Sequence, residues 1–410
     1  MSKLLEGVRV VELANFIAAA TAGRFLADCG ADVIKIEAPN GDPLRYTAPS
    51  EGRPLDWLEN TTWELENANK REASINLKSP EGMEAFYKLL GTADVLITNW
   101  RIQALEKLGL DYDHLKEKFP KLVYAICTGY GEKGPDKDLP GFDFTAFFAR
   151  GGYLHSLHQG SDRPMNVVPG LGDHNVGMNL AAGILAALYH AKVTGQGEKV
   201  ETSLFETSVY NMGMMVQAAN YDGIARKYPI DARNAANPVN NCFKTSDGRY
   251  IQLCTPDYNT YYERVMRSIG REDLIGNADF FPILDCQKNG KTQEVYDIVT
   301  TEFAKYTKDE MAHNLTENDV PFGLAQSWEE ILQDKQAEAN NCFYDMTFRT
   351  GNTRRLVRLP VKFTNMGTPD YNRAPDLGEQ GPEVLKELGY TDEDIKRMLE
   401  SKALYIRDNK

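Results

Sequence analysis

Cysteine is scarce and scattered. The six residues, Cys29, Cys127, Cys242, Cys254, Cys286 and Cys342, include no CxxC pair, so the sequence predicts reduced, mostly buried thiols rather than disulfides or a zinc site. Histidine is equally sparse. There is no HExxH, and only His155 and His158 stand close together; no third ligand lies near them, so a loop pair is expected and no metal. Positive charge is also in short supply, with 46 Lys and Arg against 59 Asp and Glu and a net charge of −13. That excludes nucleic acid as an expected partner, because phosphate binding needs a basic surface. Apolar runs are short against the roughly 20 residues that span a bilayer, so no membrane association is expected. The start, MSKLLEGVRVVEL, has no apolar stretch followed by a small-residue cleavage site, and a cytoplasmic protein is expected. Internal repeats and low-complexity tracts are missing too.

What is present is the composition of a globular enzyme, 42% hydrophobic and 26% charged. A chain of 410 residues exceeds what one core usually holds, so two domains are expected. The first third alternates β-rich and helical segments. VRVVEL (8–13), DVIKIE (32–37), DVLITN (94–99) and KLVYAICTGYG (121–131) read as strands. AAATAGRFLADCG (18–30) and SPEGMEAFYKLLGTA (79–93) read as helices, the second with Ser79 as N-cap and Pro80 in its first turn. ALEKLGL and YDHLKEKFP read as further helical pieces. Such alternation predicts an open α/β sheet with right-handed parallel crossovers. A buried helix is expected over HNVGMNLAAGILAALYHA, and a polar linker over 222–240. CFKTSDGRYIQLCT reads as a hairpin turning at Asp247-Gly248, and 256–340 as mostly helical. The tail ends in two helices, the second capped at Thr391.

Three features carry possible chemistry. GYGEKG (129–134) fits GxGxxG after a strand, and Glu37 ends the second strand where a ribose-binding acid would stand. Pro135, Asp136 and Pro140 follow where a helix should open, so a dinucleotide site is not expected. In PGLGDHNVGM (169–178), Asp173 reads as the N-cap of a helix from 174. It reads equally as a carboxylate left approachable by Gly170, Gly172 and Gly177, near helix N–H groups that would stabilise charge in acyl transfer. The two readings are compatible. Lys35, Arg45, Lys70, Arg71, Lys78, Arg101 and Lys107 form either ordinary surface charge or a phosphate-binding rim at the strand ends.

Long ordered blocks then carry a family resemblance. LLEGVRVVEL, FLADCGADVIKIEAPNGDPLR, ENANKREASINLKSPEG, ADVLITNWRIQALEKLGLDYDHL, TGYGEKGP, GDHNVGMNLAAGILAALYHAKVTGQGEKVETSLFE and APDLGEQGPEVLKELGYTDEDI run nearly end to end. The chain resembles the class III (CaiB/BaiF, formyl-CoA transferase type) CoA-transferases. It looks most like the branch of amino-acid-fermenting clostridia that acts on (R)-2-hydroxy acids such as phenyllactate and 2-hydroxyisocaproate.

The resemblance implies an α/β fold: a Rossmann-like open parallel sheet in a large domain, 1–222 with 341–410, and a smaller α+β domain, 223–340. It implies an interlocked homodimer. It also implies that Asp173 becomes an aspartyl-CoA thioester while CoA passes from an acyl-CoA to an (R)-2-hydroxy acid, such as an aryllactate. CoA thioester is then a substrate, and no permanent cofactor is expected. Asn69, Lys70, Arg71, Asn99, Lys107 and Tyr130 are the implied CoA contacts. Phe16, Ile17, Phe147 and Phe148 are candidates for the acyl pocket. Related acyl-CoA racemases carry Gly-His-Asp where this chain has Gly141-Phe142-Asp143, and phenylalanine cannot move a proton. Ile17 replaces the glutamine of formyl-CoA transferases, which suits a larger, apolar acid. A CoA- or nucleotide-binding regulatory module is the alternative without catalysis.

Overall fold

The computed structural model describes residues 3–157, 164, 166–221, 231–367, 369 and 371–407. His158 and residues 222–230 of the expected linker lie outside these residues. The chain divides into two compact units, one of 1–153, 166–217 and 336–410, the other of 154–165 and 218–335.

The first unit is built on a seven-stranded sheet. Its strands are β1 (Arg9–Leu13), β2 (Asp32–Glu37), β3 (Arg71–Ile75), β4 (Val95–Thr98), β5 (Val123–Thr128), β6 (Lys199–Ser203) and an edge strand, Leu404–Tyr405. From β3 the order runs β3-β2-β1-β4-β5-β6, all parallel, and Leu404–Tyr405 pairs antiparallel outside β3. The central strands β2, β1, β4 and β5 are almost wholly buried, both faces being covered as a parallel sheet requires, whereas the outer strand β6 is polar and half-buried. Strand order reverses between β1 and β4. In such sheets ligands bind outside the carboxyl ends of the strands at this reversal.

One face packs on α3 (Pro80–Leu90), α4 (Ile102–Leu108), α5 (Tyr112–Lys118) and the C-terminal helices Gly381–Glu387 and Asp392–Glu400. Val11, Ile34, Ile36, Leu96 and Ile126 meet Phe86, Leu89, Leu105, Val384 and Met398 there, all nearly inaccessible to solvent. The caps read from sequence are present: Ser79 accepts from the Gly82 N–H at 3.1 Å, and Thr391 caps the last helix.

The other face carries α1 (Ala18–Asp28) and a 24-residue helix, α6 (Leu171–Thr194). α1 is buried along its whole length, and α2 (Thr61–Asn67) packs beside it. Its small residues let α6 lie close: a Cβ on Gly177 would stand 2.5 Å from the Ala18 carbonyl oxygen. By length and composition alone α6 is apolar enough to cross a bilayer, which the expectation of short apolar runs missed. Here it buries Val176, Leu180, Ala181, Ile184 and Ala187 and packs on α1, β5 and β6. After β6 come α7 (Leu204–Asn211) and α8 (Gly213–Ala218).

In the second unit β7 (Cys242–Lys244), β8 (Tyr250–Leu253) and β9 (Phe322–Leu324) form an antiparallel sheet. The expected hairpin is there, with the Gly248 N–H closing on the Thr245 carbonyl at 3.0 Å. Helices Tyr258–Ser268, Thr292–Phe303 and Lys308–Glu317 enclose a core centred on Phe243, Tyr262 and Phe303.

Candidate active site

A cavity of about 730 Å³ opens at the carboxyl ends of β1, β4, β5 and β6. Asn15–Ala18 after β1, Asn99–Ala104 after β4, Cys127–Gly129 ending β5 and Leu204 after β6 contribute to its wall. The loop 137–145 and the start of α6, with Pro169, Gly170 and Asp173, complete it. This is the crevice at the strand-order reversal, and its size suits a small organic ligand.

Asp173 lies inside the first turn of α6, not at its cap; Gly170 holds the cap position in a left-handed conformation. Capping is done from outside the helix. The Asp143 carboxylate accepts the Gly170 N–H at 2.8 Å and the Gly172 N–H at 3.1 Å. Gly172 must be glycine for this, because a Cβ there would stand 2.3 Å from Asp143 Oδ1 and 2.4 Å from the Phe147 ring. Asp143 thereby takes over the task that the sequence suggested for Asp173. Among the described residues the Asp173 carboxylate accepts no hydrogen bond, and it faces the cavity. Burial pushes its pKa up to about 7; the nearby Asp143 charge adds to the rise, and His174 opposes it.

His174 is fixed by the next shell of residues. Its Nε2 lies 2.8 Å from Glu66 Oε1, and Glu66 Oε2 accepts the Thr21 hydroxyl at 2.9 Å. Burial lowers the affinity of this imidazole for a proton, but the hydrogen bond and charge of Glu66, with Asp173, raise its pKa on balance. Positive charge on this imidazole, when it is protonated, favours the ionised Asp173 carboxylate.

The loop 137–145 is shaped by glycines. Gly129 and Gly141 touch backbone to backbone, and a Cβ on Gly129 would stand 2.6 Å from the Gly141 Cα. The motif that resembled a nucleotide-binding loop is thus a packing device that returns the chain to the cavity. Glu37 is not open to a ribose: it accepts Arg45 Nε at 2.9 Å and the Asp42 N–H at 2.7 Å.

Of the residues singled out from sequence, the structure brings Asp173, Asn99, Phe16, Ile17 and Arg101 to the cavity wall. Asn99 is engaged there, accepting the Asn15 N–H at 3.0 Å and donating to the Asn15 carbonyl at 2.7 Å. The others lie elsewhere. Lys70 is fully buried, 2.7 Å from Glu12 and bonded to the Ala20 carbonyl, and Lys35 bridges Glu12 and Asp42 at 3.0 Å each; both are interior charges of the fold. Arg71 pairs with Asp32, Glu383 and Glu387. Asn69, in a left-handed conformation, donates to Asp28 and accepts from the Asn372 N–H. Lys107 is exposed on α4, and Tyr130 packs by Phe205 under Arg150. Phe147 and Phe148 are core residues, 1% and 3% exposed, because the wide turn Asp143–Ala149 points them inward against Tyr153. Phe142 and Phe144 line the cavity in their place.

Sequence reasoning missed Lys137, which lines the cavity with Arg101; among the described residues neither is paired with a carboxylate. Its signal was only its place in a Pro-bounded loop after a strand. A second cavity, about 160 Å³, lies at the ends of β1, β2 and β3, lined in part by Ala38, Asn40, Ile75 and Lys78, and it shares Trp100 with the first. Among the described residues no cluster of His, Cys, Asp and Glu is arranged to hold a metal ion.

Comparison with known proteins agrees with this architecture. The model of CoA-transferase family III matches residues 5–381. The cinnamoyl-CoA:phenyllactate CoA-transferase of Clostridium sporogenes is 53% identical over 409 residues, covering 100% of this chain and 99% of the relative. The (R)-2-hydroxy-4-methylpentanoate CoA-transferase of Clostridioides difficile is 44% identical over 401 residues, 98% of this chain and 99% of the relative. The crystal structure of a CaiB/BaiF family protein from Brucella suis superposes with a TM-score of 0.78 at 25% identity, covering 95% of this chain and 100% of that one. With its parallel sheet, its cavity at the strand ends and a family match spanning most of its length, the chain belongs to CoA-transferase family III.

Proposed function

We propose that the chain transfers CoA from an acyl- or enoyl-CoA to an (R)-2-hydroxy acid, an aryllactate above all, through covalent aspartyl-CoA at Asp173. The observation that carries this reading is the Asp173 carboxylate at the N-terminus of α6, which among the described residues accepts no hydrogen bond and which faces an apolar cavity. The names of the two relatives support the substrate class.

The chemistry follows from that environment. The Asp173 carboxylate attacks the donor thioester carbonyl, the C–S bond breaks, and CoA leaves as thiolate from a mixed anhydride. The thiolate attacks the aspartyl carbonyl, releasing the donor acid and leaving the aspartyl-CoA thioester. The acceptor carboxylate attacks that thioester, and the returning thiolate cleaves the new anhydride on the acceptor side, restoring Asp173. A desolvated carboxylate is a better nucleophile than a hydrated one. The positive end of α6 lies where oxyanion charge develops. Arg101 and Lys137 are the cations suited to the anionic parts of the substrates.

Two chains forming the enzyme belong to this reading. Tyr189 and Val193 on α6, Tyr210 on α7 and Met214 on α8 are each at least 68% exposed, an apolar surface that a partner subunit would cover. A cytoplasmic setting suits the six free thiols.

The test is an exchange assay with one acyl-CoA donor and a panel of (R)-2-hydroxy acids, in deuterated water. CoA exchange without deuterium at the α-carbon is expected. Deuterium uptake without exchange would make the protein a racemase, and tight CoA binding with neither would make it a binding module.

A further inference from the structure

We infer that Phe16 and Phe142 form an aromatic jaw that grips the ring of the acid and sets a preference for aryl over alkyl 2-hydroxy acids. The inference rests on the proposed function and names the part of the cavity that selects the acceptor.

The two rings meet edge to face, with centroids 6.1 Å apart and planes at 86°. Both line the Asp173 cavity, yet Phe16 is 36% and Phe142 56% exposed. Their exposed area lies in the cavity itself, where a bound ring would cover it. Phe16 is also strained: its φ is +58°, a left-handed conformation that costs a bulky residue appreciable energy.

Buried charge holds the strain in place. The Phe16 N–H donates to Asp42 Oδ1 at 3.0 Å, and Asp42 Oδ2 lies 3.0 Å from Lys35 Nζ, both side chains being wholly buried. Residue 15 before it is clamped by both amide atoms of Asn99. On the other side, the Gly129–Gly141 contact fixes the chain entering Phe142, and the Phe142 N–H donates to Thr145 Oγ1 at 3.0 Å. The backbone that carries both rings is therefore held in place, and the rings meet each other across the cavity.

A flat ring entering beside them finds one aromatic edge and one aromatic face, the arrangement aromatic rings prefer. A branched alkyl chain fills similar volume but lacks the ring quadrupole. Each aromatic contact of this kind contributes a few-fold to about 10-fold beyond area burial.

The experiment compares kcat/KM for (R)-phenyllactate and (R)-2-hydroxy-4-methylpentanoate with one acyl-CoA donor. In Phe142→Leu the value for phenyllactate should fall about 10-fold further than that for the alkyl acid. Phe142→Tyr, which keeps the ring, should retain the wild-type ratio. Equal losses for both acids, or an unmoved ratio in Phe142→Leu, would overturn the jaw. Wild-type protein that transfers CoA to neither acid would overturn the proposed function and the jaw with it. If Phe142→Leu does not fold, Phe16→Leu is read by the same ratio.

Discussion

Asp173 is held back from ionising by its burial and by Asp143, and this has a cost that can be measured. Its pKa, about 7 in the fold, lies above the ~3.9 of an unfolded chain. Between these values the native state binds more protons than the unfolded state, so this residue makes stability fall as pH rises from about 4 to 7. Asp173→Asn, which removes that loss, should raise the melting temperature by a few degrees at pH 8 and leave it unchanged near pH 4; an equal shift at both pH values would contradict the assignment. Asp143→Asn gives the complementary test. It removes the like charge and one acceptor from the helix start, so the acid limb of the kcat/KM profile should move to lower pH while kcat falls about 10–100-fold through misplacement of Asp173. A fall in kcat with the limb unmoved would limit Asp143 to packing. The sequence marked Asp173 as a carboxylate among glycines at a helix start, and only the family resemblance singled it out as the nucleophile. Asp143 as the true cap was not legible, since its partners lie 27 and 29 residues away.

At the scale of elements, the loop 129–145 decides which aromatics reach the cavity. Five aromatic residues stand from Phe142 to Tyr153 inclusive, and nothing in their order says which point inward. The wide turn at Asp143–Ala149 sends Phe147 and Phe148 to the core and leaves Phe142 and Phe144 at the wall. Lysines posed the same difficulty: Lys70 ended in a buried ion pair and Lys137 at the cavity, a distinction set by tertiary pairing with Glu12. Regular elements were easier. β2 spans Asp32–Glu37 as read, and the Ser79 cap is in place, because apolar runs and capping residues act locally. Gly141→Ala tests the loop. Its Cβ would stand 2.4 Å from the Gly129 Cα, so the two segments must part. Transfer should fall at least about 10-fold with the far-ultraviolet circular dichroism unchanged. Full activity would show that the close approach is dispensable.

For the whole molecule, the parallel sheet was legible from strand and helix alternation, and the site lies where such a sheet leaves a crevice. The two-residue edge strand Leu404–Tyr405 was not legible, being too short to carry a pattern. Assembly is tested on the exposed apolar residues of α6–α8. Sedimentation should give twice the mass of one chain, and Val193→Glu with Met214→Glu should weaken that association at least about 100-fold, since two charges would be buried unpaired. A monomeric wild type with full activity would contradict the proposed dimer.

The central claim is covalent catalysis at Asp173, and trapping tests it most directly. The enzyme is incubated with an acyl-CoA and then hydroxylamine, and the modified peptide is sequenced by mass spectrometry. A hydroxamate on Asp173, absent when acyl-CoA is omitted, is the predicted result. CoA transfer that proceeds with the label on another residue, or that survives in Asp173→Ala, would contradict it.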